Sequence, residues 1–91
     1  MSETDLSQAN LARAYLNEAD LRKADLNLAH MSGANLSETN LSEANLTIAY
    51  LVNANLSNSN LSNAHLSKAD LSKADLSGVT QIILQAVASL D

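Results

Sequence analysis

An unbroken period of five constrains this chain more than any other feature of its sequence. Counting in fives from Leu6, every position through Leu76 is leucine except Met31. Two residues before each stands a small side chain, alanine in most copies and Thr4, Thr39 or Ser59 in the others. The residue between is Asn or Asp, apart from Tyr15, His30, Tyr50 and His65. The unit is A-(N/D)-L-x-x, and it runs from residue 4 to 78 in fifteen copies without an insertion.

Geometry excludes the two simplest folds for such a repeat. On an α-helix, at about 100° per residue, a step of five turns each leucine by roughly 140° from the last, so no apolar face forms. On a flat strand an odd step alternates faces and puts every second leucine in water. A short extended tripeptide A-(N/D)-L followed by a two-residue corner fits, because all the leucines then face one axis. That arrangement is an all-β solenoid, each coil resting on the one below at roughly the 4.8 Å spacing of β hydrogen bonding.

Composition agrees with a repeat. Leu, Ala, Ser and Asn supply 55 of the 91 residues, and there is no Cys, Pro, Phe or Trp. Without thiols there is no disulfide or cysteine metal site, so packing and backbone hydrogen bonds hold the chain together. The formal charge of -5 argues against nucleic-acid or anionic-membrane partners, which need a basic surface. The segment Met1-Ser2-Glu3-Thr4-Asp5 has neither the basic nor the apolar part of a signal peptide, so a cytoplasmic protein is expected.

Tandem copies such as Ala19-Asp20-Leu21-Arg22-Lys23 and Ala69-Asp70-Leu71-Ser72-Lys73 resemble the pentapeptide repeat family, of the kind abundant in cyanobacteria. The resemblance implies a right-handed quadrilateral β-helix with four pentapeptides per coil. Residues 4–78 would then build about four coils, roughly 18 Å of prism at the β spacing. Residues 79–91 break the pattern. Ile83, Val87 and Leu90 recur there at helical spacing, with Ile82 and Ala86 beside them and Thr80 as an N-cap. That spacing predicts a short α-helical cap over the last coil.

In a four-sided coil, residues twenty apart are stacked. Asn35 falls over Asn55 and Asn40 over Asn60, which predicts amide ladders, and Glu18 falls over Glu38. The same arithmetic puts His30 and His65 on different faces, roughly 10 Å apart along the axis, too far for one metal ion. Gly33 and Gly78 are the only glycines, so no glycine-rich phosphate loop exists. The serines recur at one corner position, which suits turn chemistry better than a nucleophile. No catalytic, metal-binding or cofactor-binding residues are expected, and no cofactor.

The expected function is therefore that of a noncatalytic structural or protein-interaction module. The alternative implied by the resemblance is a DNA-mimic inhibitor of DNA gyrase, since some family members are similar to duplex DNA in shape and charge. Residues 4–78 carry eight acids against five bases, a net of -3, whereas about 18 Å of B-DNA carries about ten charges. The central leucines also lack the Phe centres common in gyrase-directed members. Among outward positions that are otherwise almost all polar, Leu28, Ile48 and Val52 are aliphatic. In the four-sided register they fall on one face with His30 and Tyr50, a candidate contact patch for a protein partner. With only three residues before the first repeat, the N-terminal coil lacks a cap, and its open edge is expected to support self-association.

Overall fold

The structure, a computed structural model, describes residues 3–79 and the backbone of residues 89–90. The repeat winds into coils of twenty residues. Parallel bridges join residues twenty apart along the stack, including Asp5 to Asp25, Asn10 to His30, His30 to Tyr50 and Asn55 to Asp75. Four pentapeptides therefore close one coil, and each bridge falls on the Asn/Asp position of the repeat.

In a mid-stack repeat with Asn or Asp at its second position, every backbone N–H has an acceptor. In the copy at 34–38, Asn35 donates to the Ala14 carbonyl one coil back (2.9 Å), while Leu36 and Glu38 donate to the Asn55 and Ser57 carbonyls one coil on (2.7 and 2.9 Å). Ala34 donates across the corner to the Met31 carbonyl (3.1 Å). The fifth amide, Ser37 N–H, donates to its neighbour's side chain, Asn35 Oδ1 (3.0 Å). A buried amide without an acceptor is costly, and this unit leaves none.

That last bond explains the consensus Asn or Asp. Its side-chain oxygen closes a turn on the amide two residues along, and a following Ser or Thr hydroxyl donates to the same oxygen, as in Asn45 with Thr47 (2.6 Å) and Asp70 with Ser72 (2.6 Å). The expected amide ladders do not form. The Oδ1 atoms of Asn35, Asn40, Asn55 and Asn60 accept from the Ser37, Ser42, Ser57 and Ser62 amides instead. Stacked asparagines meet through their backbones.

The corner has a cost. The residue two after each central Leu has positive φ, and only Gly33 and Gly78 among these positions are glycine; the others lie between 57° and 64°. A positive φ at the third residue, with the fourth donating to the first carbonyl, matches a type II turn. An L-residue held there costs roughly 1–2 kcal/mol. At Gly78 an added Cβ would run into the Asn58 side-chain amide on the adjacent coil, which would have to move aside.

Inside, the central residues from Leu21 to Leu71, Met31 included, are at most 1% exposed, as are the inward alanines from Ala24 to Ala69. The leucines of the first coil, Leu6, Leu11 and Leu16, are only partly buried against this core. Two polar residues occupy inward small positions. Thr39 Oγ1 donates to the Leu36 carbonyl (2.7 Å), but the buried Ser59 Oγ has no hydrogen-bond partner.

The cap differs at its end from the sequence expectation. Strand β1, Asp70–Leu71, pairs in parallel with strand β2, Ser89–Leu90, in the register Asp70 to Ser89 and Leu71 to Leu90. Leu90 is thus extended and not helical. The helix expected around Ile83 and Val87 lies outside the described residues. The sequence Ala88-Ser89-Leu90 repeats the Ala-Asp-Leu order of residues 69–71, one residue short of the regular spacing, so strand pairing wins at this point.

Two stability outcomes follow. Leu41→Ala or Leu46→Ala removes a fully buried side chain from the mid-stack and should cost about 2–5 kcal/mol in a denaturant titration. Ser59→Ala removes an unsatisfied buried hydroxyl and should stabilise by about 1 kcal/mol. A lower melting temperature for Ser59→Ala would show that the hydroxyl has a partner.

Candidate interaction face

One side of the prism is built from residues 8–12, 28–32, 48–52 and 68–72, stacked through the bridges Asn10 to His30 to Tyr50 to Asp70. The structure brings together all the patch residues expected from sequence. Leu28 and Ile48 share one column, His30 and Tyr50 the next, and Val52 the third. Leu28, Ile48 and Val52 are half-buried and His30 is exposed, while Tyr50 is 39% exposed. The His30 and Tyr50 rings stack with centroids 4.8 Å apart and planes inclined by 11°, so each ring limits the rotation of the other.

Each departure from the repeat consensus on this face gives up something local. Ile48 has φ 57° and Leu28 φ 63°, in the region that disfavours β-branched and bulky side chains. Tyr50 replaces the Asn or Asp whose oxygen would accept the Val52 amide, and Val52 replaces the Ser whose hydroxyl would join that bond. Strain and lost hydrogen bonds thus meet in the pentapeptide that carries most of the apolar surface.

The same face continues into β1, and β2 pairs with it there. The sequence reading missed this strand, and also missed Tyr15, which is 85% exposed on the adjoining face. The Ala-Ser-Leu order at 88–90 was the available signal for β2. Elsewhere two acid–base pairs form: Arg22 grips Asp20 through Nε and Nη2 at 2.8 and 2.7 Å, and Lys23 lies 3.9 Å from Glu43 on the next coil. His30 and His65 sit on different sides. Among the described residues no group of His, Asp and Glu is placed to hold a metal ion, and no helix is long and apolar enough to cross a membrane.

The corner bonds depress several carboxylates. The Arg22 side-chain hydrogen bond, helped by the Arg22 amide, holds Asp20 down to about 2. The hydroxyls and then the amides of Ser7, Ser72 and Ser77 lower Asp5, Asp70 and Asp75 in the same direction. A carboxylate whose folded value lies below its ordinary 3.8 stabilises the fold above that value and loses the contribution as pH falls. The melting temperature should therefore hold from neutral pH to about 5 and drop between about 4 and 2. Asp20→Asn keeps the turn acceptor but removes one titration, so its drop should be smaller; an equal drop would exclude Asp20 as a contributor.

Comparison with known proteins agrees with this architecture. The family model for pentapeptide repeats matches residues 1–37 and 39–78 in eight copies. No curated protein matches the chain. Among solved structures, it is similar to HetL, a pentapeptide repeat protein involved in heterocyst differentiation regulation in the cyanobacterium Nostoc. The TM-score is 0.61 at 33% identity, covering 82% of this chain and 36% of HetL. A second pentapeptide repeat protein from Nostoc gives a TM-score of 0.56 at 35% identity, covering 82% of this chain and 62% of that one. The chain thus spans less than two thirds of either relative. These neighbours imply that the four-sided coil is a right-handed quadrilateral β-helix.

Proposed function

Because the chain belongs to the pentapeptide repeat family, whose members are generally noncatalytic structural modules, we propose that it is a protein-interaction module that binds through the face carrying Leu28, His30, Ile48, Tyr50 and Val52. The observation that carries this reading is Ile48. A β-branched residue at φ 57° is disfavoured by its backbone, and an aliphatic side chain at a partly exposed corner gains little from burial. Asn at the equivalent corners Asn53, Asn58 and Asn63 meets the same turn at lower cost. Strain kept where stability does not need it points to a use of the side chain.

The partner that suits this face is a protein with an apolar ridge. Tyr50, stacked on His30, would act as a rigid anchor, and the aliphatic side chains beside it would supply the contact area. The proposal also carries a soluble repeat domain over residues 4–78, a C-terminal segment closing the last coil, with a short helix in its undescribed part, and a cytoplasmic location. The DNA-mimic alternative requires a strongly acidic surface, whereas here Asp20 is paired with Arg22 and Lys23 lies near Glu43.

The test replaces Tyr50 with a photo-crosslinking residue in the native cell. One protein should be captured, and adding Ile48→Asn and Val52→Ser should abolish the capture. In that double change Ile48→Asn relieves the positive-φ corner, so stability should rise by about 1 kcal/mol. Capture that survives the double change would remove this face as the contact, and inhibition of gyrase supercoiling by micromolar protein would favour DNA mimicry.

A further inference from the structure

The side that carries Leu28, Ile48 and Val52 is also set apart by what it lacks. Residues 8–12, 28–32 and 48–52, three successive levels of this side, contain no Asp, Glu, Lys or Arg. The corner residues that adjoin the upper two levels, Asn27, Gly33, Thr47 and Asn53, are uncharged as well. Each other side carries charge within the same three levels: Arg13 on one, Glu18 and Glu38 on the next, Lys23 and Glu43 on the last. Charge returns to the apolar side only at Lys68 and Asp70, on its fourth level. Two copies with a formal charge of -5 repel each other in general, and this is the side on which they can meet without charge opposing charge.

A second departure from the repeat supplies the register. At the position after the central leucine, every repeat carries Ser, Thr, Asn or Arg except at Ala12 and Val52. These two stand in one column of this side, two coils apart, with Ser32 between them. A two-fold axis that lies in the contact plane, across the prism at the level of Leu28, reverses the order of coils but keeps each column on itself. Residues 8–12 of one copy then face residues 48–52 of the other. Ala12 meets Val52 twice, and Leu28 and His30 each meet their own counterpart, the self-complementarity an isologous contact requires. At the rim Arg13 falls opposite the uncharged Asn53, while Lys68 and Asp70 stay outside the contact. A parallel side-by-side pairing would instead set Asp70 against Asp70. The antiparallel contact spans about 14 Å of the axis at the β spacing, an interface of the small class, which suits a weak and reversible association.

We propose that this side is the contact surface of an antiparallel, side-by-side dimer of the chain, with the Leu28 level on the two-fold axis and Ala12 of each copy against Val52 of the other. The dimer rests on the contact face assigned above and draws its apolar partner from a second copy.

Leu28→Lys tests the contact. Lysine already occupies the same positive-φ corner at Lys23, Lys68 and Lys73, so the monomer should keep its melting temperature while two like charges meet on the axis. Sedimentation of the 91-residue protein at mildly alkaline pH, where histidine is uncharged, should show a monomer passing into a dimer from low to high micromolar concentration. Leu28→Lys should weaken that equilibrium by about tenfold or more. Because the chain has no cysteine, single thiols report the register directly. Leu28→Cys treated with a short bis-maleimide should give covalent dimers, whereas Asn63→Cys, at the same corner position on a different side, should not. Should Leu28→Lys fail to fold, the two thiol variants decide alone. A single-chain mass at every concentration overturns the dimer. So does a dimer undiminished in folded Leu28→Lys, or equal crosslinking from Asn63→Cys. A monomer whose Tyr50 crosslinker captures a different protein in the cell removes the dimer and leaves the contact face, whereas capture that survives Ile48→Asn with Val52→Ser removes both.

Discussion

Everything in this protein rests on the hydrogen-bonded stacking of residue i on residue i+20. A pentapeptide alone could bury almost nothing. Its leucine is shielded only because coils lie above and below it and because three other repeats close the square. The backbone ladder brings those neighbours to β spacing, and the leucine columns then exclude water along the axis. The two effects cannot be separated: without the ladder the leucines have no common axis, and without the leucines short tripeptide strands would compete poorly with water for their hydrogen bonds.

The corners show what that stacking imposes. Turning the chain within two residues forces a positive φ once per repeat, and most of those positions carry an ordinary L-residue at an energetic cost. The Asn or Asp side chain offsets part of it by closing the turn on the next amide, and Ser or Thr reinforces that bond. A corner position is thus tolerant but not free. Where Ile48 and Leu28 occupy it, and where Tyr50 and Val52 displace the Asn-Leu-Ser chemistry, the local rules are broken together on one side of the prism. The proposal of a contact face rests on this concentration of departures, since scattered exposed aliphatics are common on any surface.

A filled prism offers its side faces for recognition. The face around Tyr50 would recognise a partner through apolar side chains. Kinship with HetL and with a second Nostoc protein establishes the scaffold. Because this chain spans only part of each, the surfaces must be read from its own residues.

Much was legible in the sequence because the repeat is strict. The period of five excluded helix and flat strand and identified the inward leucines, and with the twenty-residue coil that the family resemblance implied it placed Leu28, Ile48, His30, Tyr50 and Val52 on one side. Tertiary structure alone decided the rest. The positive φ at the corners arises from closing a square in three dimensions, and no local preference of Glu, Lys or Ile announces it. The asparagine side chains could have run as ladders or closed their own turns; the distances across the corner favour the turn. Ser89–Leu90 pairs with Asp70–Leu71 because an open strand edge accepts any strand that reaches it, one residue out of register if necessary.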